Sequence, residues 1–307
     1  MTIKKIKIEE AIRSTTMFLN DATIENRFET AITTQIAVYK KMADISTREG
    51  LEKFIRSTPD SISMLITLLG ITGEKFKRVV TMLRVEKGYT FDSEWNEARV
   101  QKELCEKPDL MNEFCELFLN GCNIDKYKEK IPHFVLQDFR IDKEIIDRLC
   151  NDDMLRKLTK SSVFSKYNKE YSNLYAEKIQ NKLKELSSKY GLHYEYGAVD
   201  GLSKENLHVI TNTEKSIVVN YQFNVTTSKN QTDYADDTIH PVWQKSRQKK
   251  GGIVIVNLLD GAGWVGRASD YKKVHMYCDY FLNLKNINQL EISRSEERHV
   301  GKECRSR

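Results

Sequence analysis

The chain has 307 residues, 40% hydrophobic and 30% charged, with 14 Gly and only 4 Pro, which fits a globular, helix-rich protein and excludes a collagenous or mainly disordered one. No run of 18 apolar residues occurs, so no segment reads as membrane-spanning, and the opening, with Glu9 and Glu10 straight after Lys4, Lys5 and Lys7, lacks the pattern of a secretory signal. The expected location is cytoplasmic, and the formal net charge of +5 does not by itself imply a nucleic-acid partner.

Residues 1–150 read as helix after helix. Ile62, Leu65, Ile66, Leu68, Leu69, Phe76, Val79, Val80 and Leu83 recur mostly three or four apart, with a break between Gly70 and Gly73, which predicts two helices joined by a short turn. Gly88 is placed to supply a left-handed cap after the second. The pattern predicts further helix over 90–99 and 109–119, the latter with Leu110, Met111, Phe114, Leu117 and Phe118 on one side. A polar connection over 131–158 leads into an amphipathic helix predicted over 172–190.

Past Gly191 the period changes to that of strands. Runs at 193–196, 207–210, 216–225 and 252–259 are β-branched or aromatic and bounded by turn residues, while 232–248 and 269–280 read as helices. The order helix, strand, strand, strand, helix, strand, helix predicts a small mixed sheet flanked by helices, an α/β (α+β) fold behind a helical N-terminal region. The expected boundaries are a helical DNA-contact or assembly region over 1–150 and a sheet domain over 151–293.

The last stretch, 294–307, carries eight formal charges in 14 residues and is similar to the conceptual translation of sequencing-adaptor read-through, so it is set aside from the fold reading. Its five basic and three acidic side chains account for two of the net charges, leaving +3 of +5. Without Cys304, five cysteines remain at Cys105, Cys115, Cys122, Cys150 and Cys278; their spacings fit no zinc pattern, and reduced, mostly buried thiols are expected.

Two blocks carry a resemblance. One is the strand and loop from Ile217 to Asn230, with Asn220, Gln222, Ser228 and Lys229; the other is the hydrophobic run from Ile253 that ends in Asp260, Gly261, Gly263 and Trp264. Together they resemble the type II restriction endonucleases of the PD-(D/E)xK superfamily, the DpnII/MboI-like group, over roughly residues 190–290. The resemblance implies a restriction-endonuclease-like sheet, Mg²⁺-dependent hydrolysis of double-stranded DNA, a homodimer and a companion DNA methyltransferase.

Such a site holds Mg²⁺ between an acid at one strand end and an acid on the next strand. A polar or basic residue two positions later faces the same way and orders the attacking water. Carried over by position, Asp200 or His208 is the first metal-side group, Asn220 the second and Gln222 the water-positioning residue, with Asp200 and Asn220 as metal ligands. Ser228 and Lys229 clamp phosphate, with Lys245 and Arg247 as further DNA contacts. The chain departs from the pattern by placing carboxamides at Asn220 and Gln222. Three readings stay open: Asp200, Glu195 or Glu205 supplies the charge from a shifted position; the site works in a drifted form; or the chain binds DNA without cutting it.

Read without the resemblance, Asp200 with Gly201 is equally a turn, and His208 equally a hydrogen-bonded sheet histidine. Two carboxamides on one face of an apolar strand favour a polar site there, since burying them unpaired is costly. Lys245 and Arg247 suit a helix C-terminus, and Lys75, Lys77, Arg78 and Arg84 the solvated face of a core helix.

Overall fold

The computed structural model describes residues 5–42, 44–89, 93–199, 201–211, 215–249 and 252–290, so Asp200 and the segment 294–307 lie outside the described residues. The chain forms two compact units, one made of Met1–Asp21 with Lys166–Arg307, the other of Ala22–Ser165. The division differs from a single boundary near residue 150. Helix α1 (Ile8–Ser14) belongs to the sheet unit because Ala11 is buried in that core and Ile6, Ile8 and Ile12 pack against it.

The helical unit holds α2 (Ala22–Tyr39), α3 (Arg48–Ser57), α4 (Ser61–Leu69), α5 (Gly73–Glu86), α6 (Glu97–Glu106) and α7 (Pro108–Asn120). The short α8 (Asp125–Lys128), α9 (His133–Leu136) and α10 (Lys143–Leu149) follow, then the first part of α11 (Asp152–Tyr190). The predicted pair of helices is α4 and α5: Gly70 ends the first with φ 69°, and the Thr72 hydroxyl accepts from the Lys75 amide at 3.2 Å to start the second. Gly88 adopts φ 71° after α5, as its position predicts. Phe114 stacks on Phe118 at 4.3 Å with Phe76 edge-on at 6.2 Å, which fills the centre of the core.

Residues 93–96 are not helical, against the expected helix over 90–99. Asn96 is the cap of α6, accepting from the Arg99 amide at 2.9 Å, and Trp95 is buried with the Arg84 guanidinium 3.6 Å from its ring centroid. Glu113 on α7 accepts from the Tyr127 hydroxyl at 2.7 Å and from Lys126 at 2.9 Å, with Lys87 at 3.0 Å, and these donors hold its carboxyl down to about 2 against burial. The folded value lies below the ordinary 4.5, so this stabilisation is complete above about 4.5 and lost as pH falls through about 2. Glu113→Gln is expected to lower stability by roughly 1–3 kcal/mol at pH 7. The urea midpoints of variant and parent should converge toward pH 2.

In the sheet unit, the later part of α11 precedes β1 (His193–Val199), β2 (Ser203–Thr211) and β3 (Lys215–Phe223). Then come α12 (Lys229–Asp233), a π-helical stretch (Tyr234–Ile239), α13 (His240–Gln248), β4 (Gly252–Asp260), α14 (Ala262–Gly266), α15 (Ala268–Met276) and β5 (Tyr280–Leu282). The sheet order is β1-β2-β3-β4-β5; β1, β2 and β3 pair antiparallel, whereas β3 with β4 and β4 with β5 pair parallel. This is the mixed sheet with flanking helices that the period changes predict.

Alternation gives the sheet two covered faces. On one, Leu207, Val209, Val218, Ile255 and Leu259 share a core with Ala235, Ile239 and Val242 after β3, and with Trp264, Tyr271 and Val274 after β4. On the other lies α11, where Tyr175 stacks on Phe223 at 5.3 Å and Gln180 donates to the Tyr221 hydroxyl at 2.9 Å. Among the described residues no helix is long and apolar enough to cross a membrane.

Candidate functional site

Asn220 and Gln222 are two apart on β3 and so point to the same side, the one covered by α13 and α15. The parallel register sets Asn220 opposite Asn257 of β4. The Asn220 amide donates to the Asn257 carbonyl oxygen at 2.9 Å, and the Asn257 amide donates in turn to the Val274 and Tyr277 carbonyls at 2.9 and 3.2 Å. Both carboxamides are buried, Asn257 completely. The polar face expected on β3 therefore exists, and its demand is met by a carboxamide bridge from β3 through β4 to the C-terminal end of α15, whose carbonyls have no partner within the helix. Asn257 was not singled out in the sequence; an Asn in the middle of the apolar run from Ile253 to Leu259 was the available signal.

One turn of the pleat beyond Asn220, Gln222 is half-buried and accepts from the Asn224 amide at 3.0 Å. Its carbonyl is thus engaged within the strand end.

His208 does not join this group. It pairs with Val219 across the antiparallel β2–β3 ladder, and directly opposed residues share a face, so it stands on the α11 side while Asn220 stands on the other. There it is buried in an aromatic stack: Tyr196 lies 4.4 Å and Tyr221 4.9 Å from its ring, and its Nδ1 is 2.8 Å from the Tyr194 hydroxyl. Burial pushes its imidazole down to about 4, which leaves it neutral over the physiological range.

Asp200 lies outside the described residues. The adjoining Gly201 has φ 65° and Leu202 donates to the Val199 carbonyl at 2.9 Å, a tight turn between β1 and β2. Glu195 is exposed on β1, 3.7 Å from His193, and the Glu205 side chain also falls outside the description.

The expected phosphate contacts divide into two kinds. Ser228 precedes α12 and its amide donates to the Gln231 side chain at 2.8 Å, while Lys229 is exposed with Asp233 at 4.0 Å and Lys245 is exposed on α13. Arg247 is committed inside the unit: it bonds both oxygens of Asp279 at 2.9 and 3.3 Å, reaches the Ile253 carbonyl at 3.1 Å and lies over the Trp243 ring at 4.1 Å. In the helical unit Lys75 pairs with Asp138, Lys77 and Arg78 with Glu74, and Arg84 is buried on Trp95, so that basic set is largely spent on local partners.

Asp260, at the end of β4, is fully buried. It accepts from the Thr16 amide at 2.6 Å, the Leu284 amide at 2.8 Å and the Tyr175 hydroxyl at 3.0 Å. Burial pushes its carboxyl up to about 6 although all three donors pull it down. Gly261 behind it has φ 106°, and a Cβ there would overlap the Asn224 backbone, so the turn after β4 requires glycine.

Mg²⁺ takes hard oxygen ligands, chiefly carboxylates. Asn220, Gln222 and His208 do not supply such a set, being two engaged carboxamides on one face and an imidazole on the other. Among the described residues no group of three His, Cys, Asp or Glu is placed to hold a metal ion. No family model, curated protein or solved structure matches this chain.

Proposed function

We propose that the protein binds double-stranded DNA without hydrolysing it, on a sheet of the restriction-endonuclease-like kind. The observation that carries this reading is the bond from Asn220 to Asn257, which gives the position of the expected second metal ligand a structural task. Support for DNA as the ligand comes from the resemblance over residues 190–290 and from the exposed cations Lys229 and Lys245 beside the α12–α13 segment. Phosphate contact by such side chains is independent of base sequence and weakens with salt.

A second reading, Mg²⁺-dependent cleavage of the DNA, rests on the resemblance over residues 190–290 and requires the Gln222 carbonyl to exchange its bond with Asn224 for the attacking water. A two-fold dimer and a protective methyltransferase belong with that reading, since palindromic sites are read by symmetric dimers and a cutting enzyme endangers its own genome.

The deciding experiment incubates the full chain with unmethylated phage DNA in Mg²⁺, Mn²⁺ or EDTA, and follows binding across a salt series. The expected result is binding that falls steeply with salt, with no fragments in either metal, and that weakens about tenfold or more on combining Lys229→Glu with Lys245→Glu. Discrete fragments that disappear on Asn220→Ala would establish the hydrolytic reading. Absence of binding at low salt would remove both.

A further inference from the structure

The segment leading out of α1 touches the sheet unit in an unusual way. None of residues 16–21 is fully buried: Met17, Phe18 and Asn20 are exposed, and Thr16, Leu19 and Asp21 are half-buried. It is held by backbone and polar groups on three consecutive residues at the end of β4. The Thr16 amide donates to the Asp260 carboxylate at 2.6 Å, the Gly261 amide to the Thr16 carbonyl at 2.8 Å, and the Ala262 amide to the Met17 carbonyl at 3.0 Å. At its far end the Asp21 amide reaches the Tyr171 hydroxyl at 3.3 Å. The residues on either side of the strap are differently secured: Ala11 and Thr15 are buried, and the β4 interior from Ile255 to Leu259 is buried throughout.

A segment with no fully buried side chain opens at a lower free energy than the fully buried strand beneath it. We propose that residues 16–21 form a latch over the carboxyl end of β4, with Asp260 as its catch, and that the latch opens while the sheet stays folded. Opening uncovers Asp260, Gly261 and Ala262 at the end of the parallel strands, next to Asn224, whose amide donates to the Asp260 carbonyl at 3.2 Å.

The catch makes the latch sensitive to pH. The titratable groups facing Asp260 are the phenols of Tyr175 from α11 and Tyr271 from α15, both pushed up by burial, and among the described residues no cation pairs with it. With the latch shut, the Asp260 carboxyl sits at about 6; solvated by opening, it returns toward its ordinary 3.8. Deprotonation therefore favours the open form, and raising pH from 5 to 7.5 is expected to increase the open population about tenfold.

The test is amide hydrogen exchange on the full chain, corrected for intrinsic base catalysis and read at Thr16, Gly261 and Ala262 against Val256 and Leu258 inside β4. The expected result is that the first three amides open about tenfold more at pH 7.5 than at pH 5 while the β4 interior changes little. Asp260→Asn should make the Gly261 and Ala262 response flat with pH. Thr16→Pro, which removes the amide donated to the catch, should expose Gly261 and Ala262 and leave β4 protected even if the Asp260 variant does not fold. Exchange of all five amides at one common rate, or a flat response of the parent chain between the two pH values, would overturn the proposal.

Discussion

Replacing Asp260 by alanine is expected to lower the stability of the protein by roughly 2–4 kcal/mol, because it strands three donors at once, the Tyr175 hydroxyl buried and the Thr16 and Leu284 amides half-buried. The Thr16 and Leu284 amides and the Tyr175 hydroxyl all end on this carboxylate, and Tyr175 is itself buried against Phe223, so water has little room to replace what is lost. Asparagine does not repair the site: its NH₂ group would face a donor, whichever of the two oxygen positions it took. The effect also has a sign in pH. The folded carboxyl, at about 6, lies above its ordinary 3.8, so its contribution is complete below 3.8 and declines as pH rises through about 6. The gap between parent and alanine variant, measured by urea midpoints, should be wider at pH 4.5 than at pH 7.5. A gap below about 1 kcal/mol at both would mean that the three donors find other partners.

Local chemistry made some elements legible and left others hidden. The turn between α4 and α5 follows from Gly70 and Thr72 alone, and β3 and β4 from β-branched runs that no helix pattern explains. Helix α11 begins at Asp152, twenty residues ahead of the predicted start at 172; over residues 156–170 its apolar positions are thinned by Lys and Ser, which masks the helical period. The membership of α1 depends on residues more than 190 positions away along the chain, such as Leu207, with which Ala11 shares a core, and no local pattern announces it.

The site shows the same limit more sharply. Alternation within β2 and within β3 was readable, but the face on which His208 meets β3 depends on the register that pairs it with Val219. A slip of one residue would have brought it to the side of Asn220. Asp260 is followed in sequence by Gly261 and Gly263, which mark a turn and nothing more; that it anchors the strap depends on Thr16, 244 residues earlier.

Asn257 offers the second large effect and bears directly on function. Asn257→Ala is expected to destabilise the protein by roughly 2–4 kcal/mol, since it leaves the Asn220 amide and the Val274 and Tyr277 carbonyls without their partner in a dry interior and opens a small cavity. Asn220→Ala should cost less, about 1–2 kcal/mol, because the two helix-end carbonyls keep the Asn257 amide. If the two carboxamides act as one bridge, the double variant will be less destabilised than the sum of the singles, the mark of a shared bond in a mutant cycle. The cycle separates the two functional readings. A bridge residue loses stability on substitution, and its DNA affinity at a temperature where the variant is folded stays near that of the parent. A residue that works on phosphate or metal loses binding or cleavage with little change in stability. Coupling between Asn220 and Asn257 near zero, with DNA affinity falling on Asn220→Ala alone, would move Asn220 from the architecture of the sheet to the surface that meets the ligand.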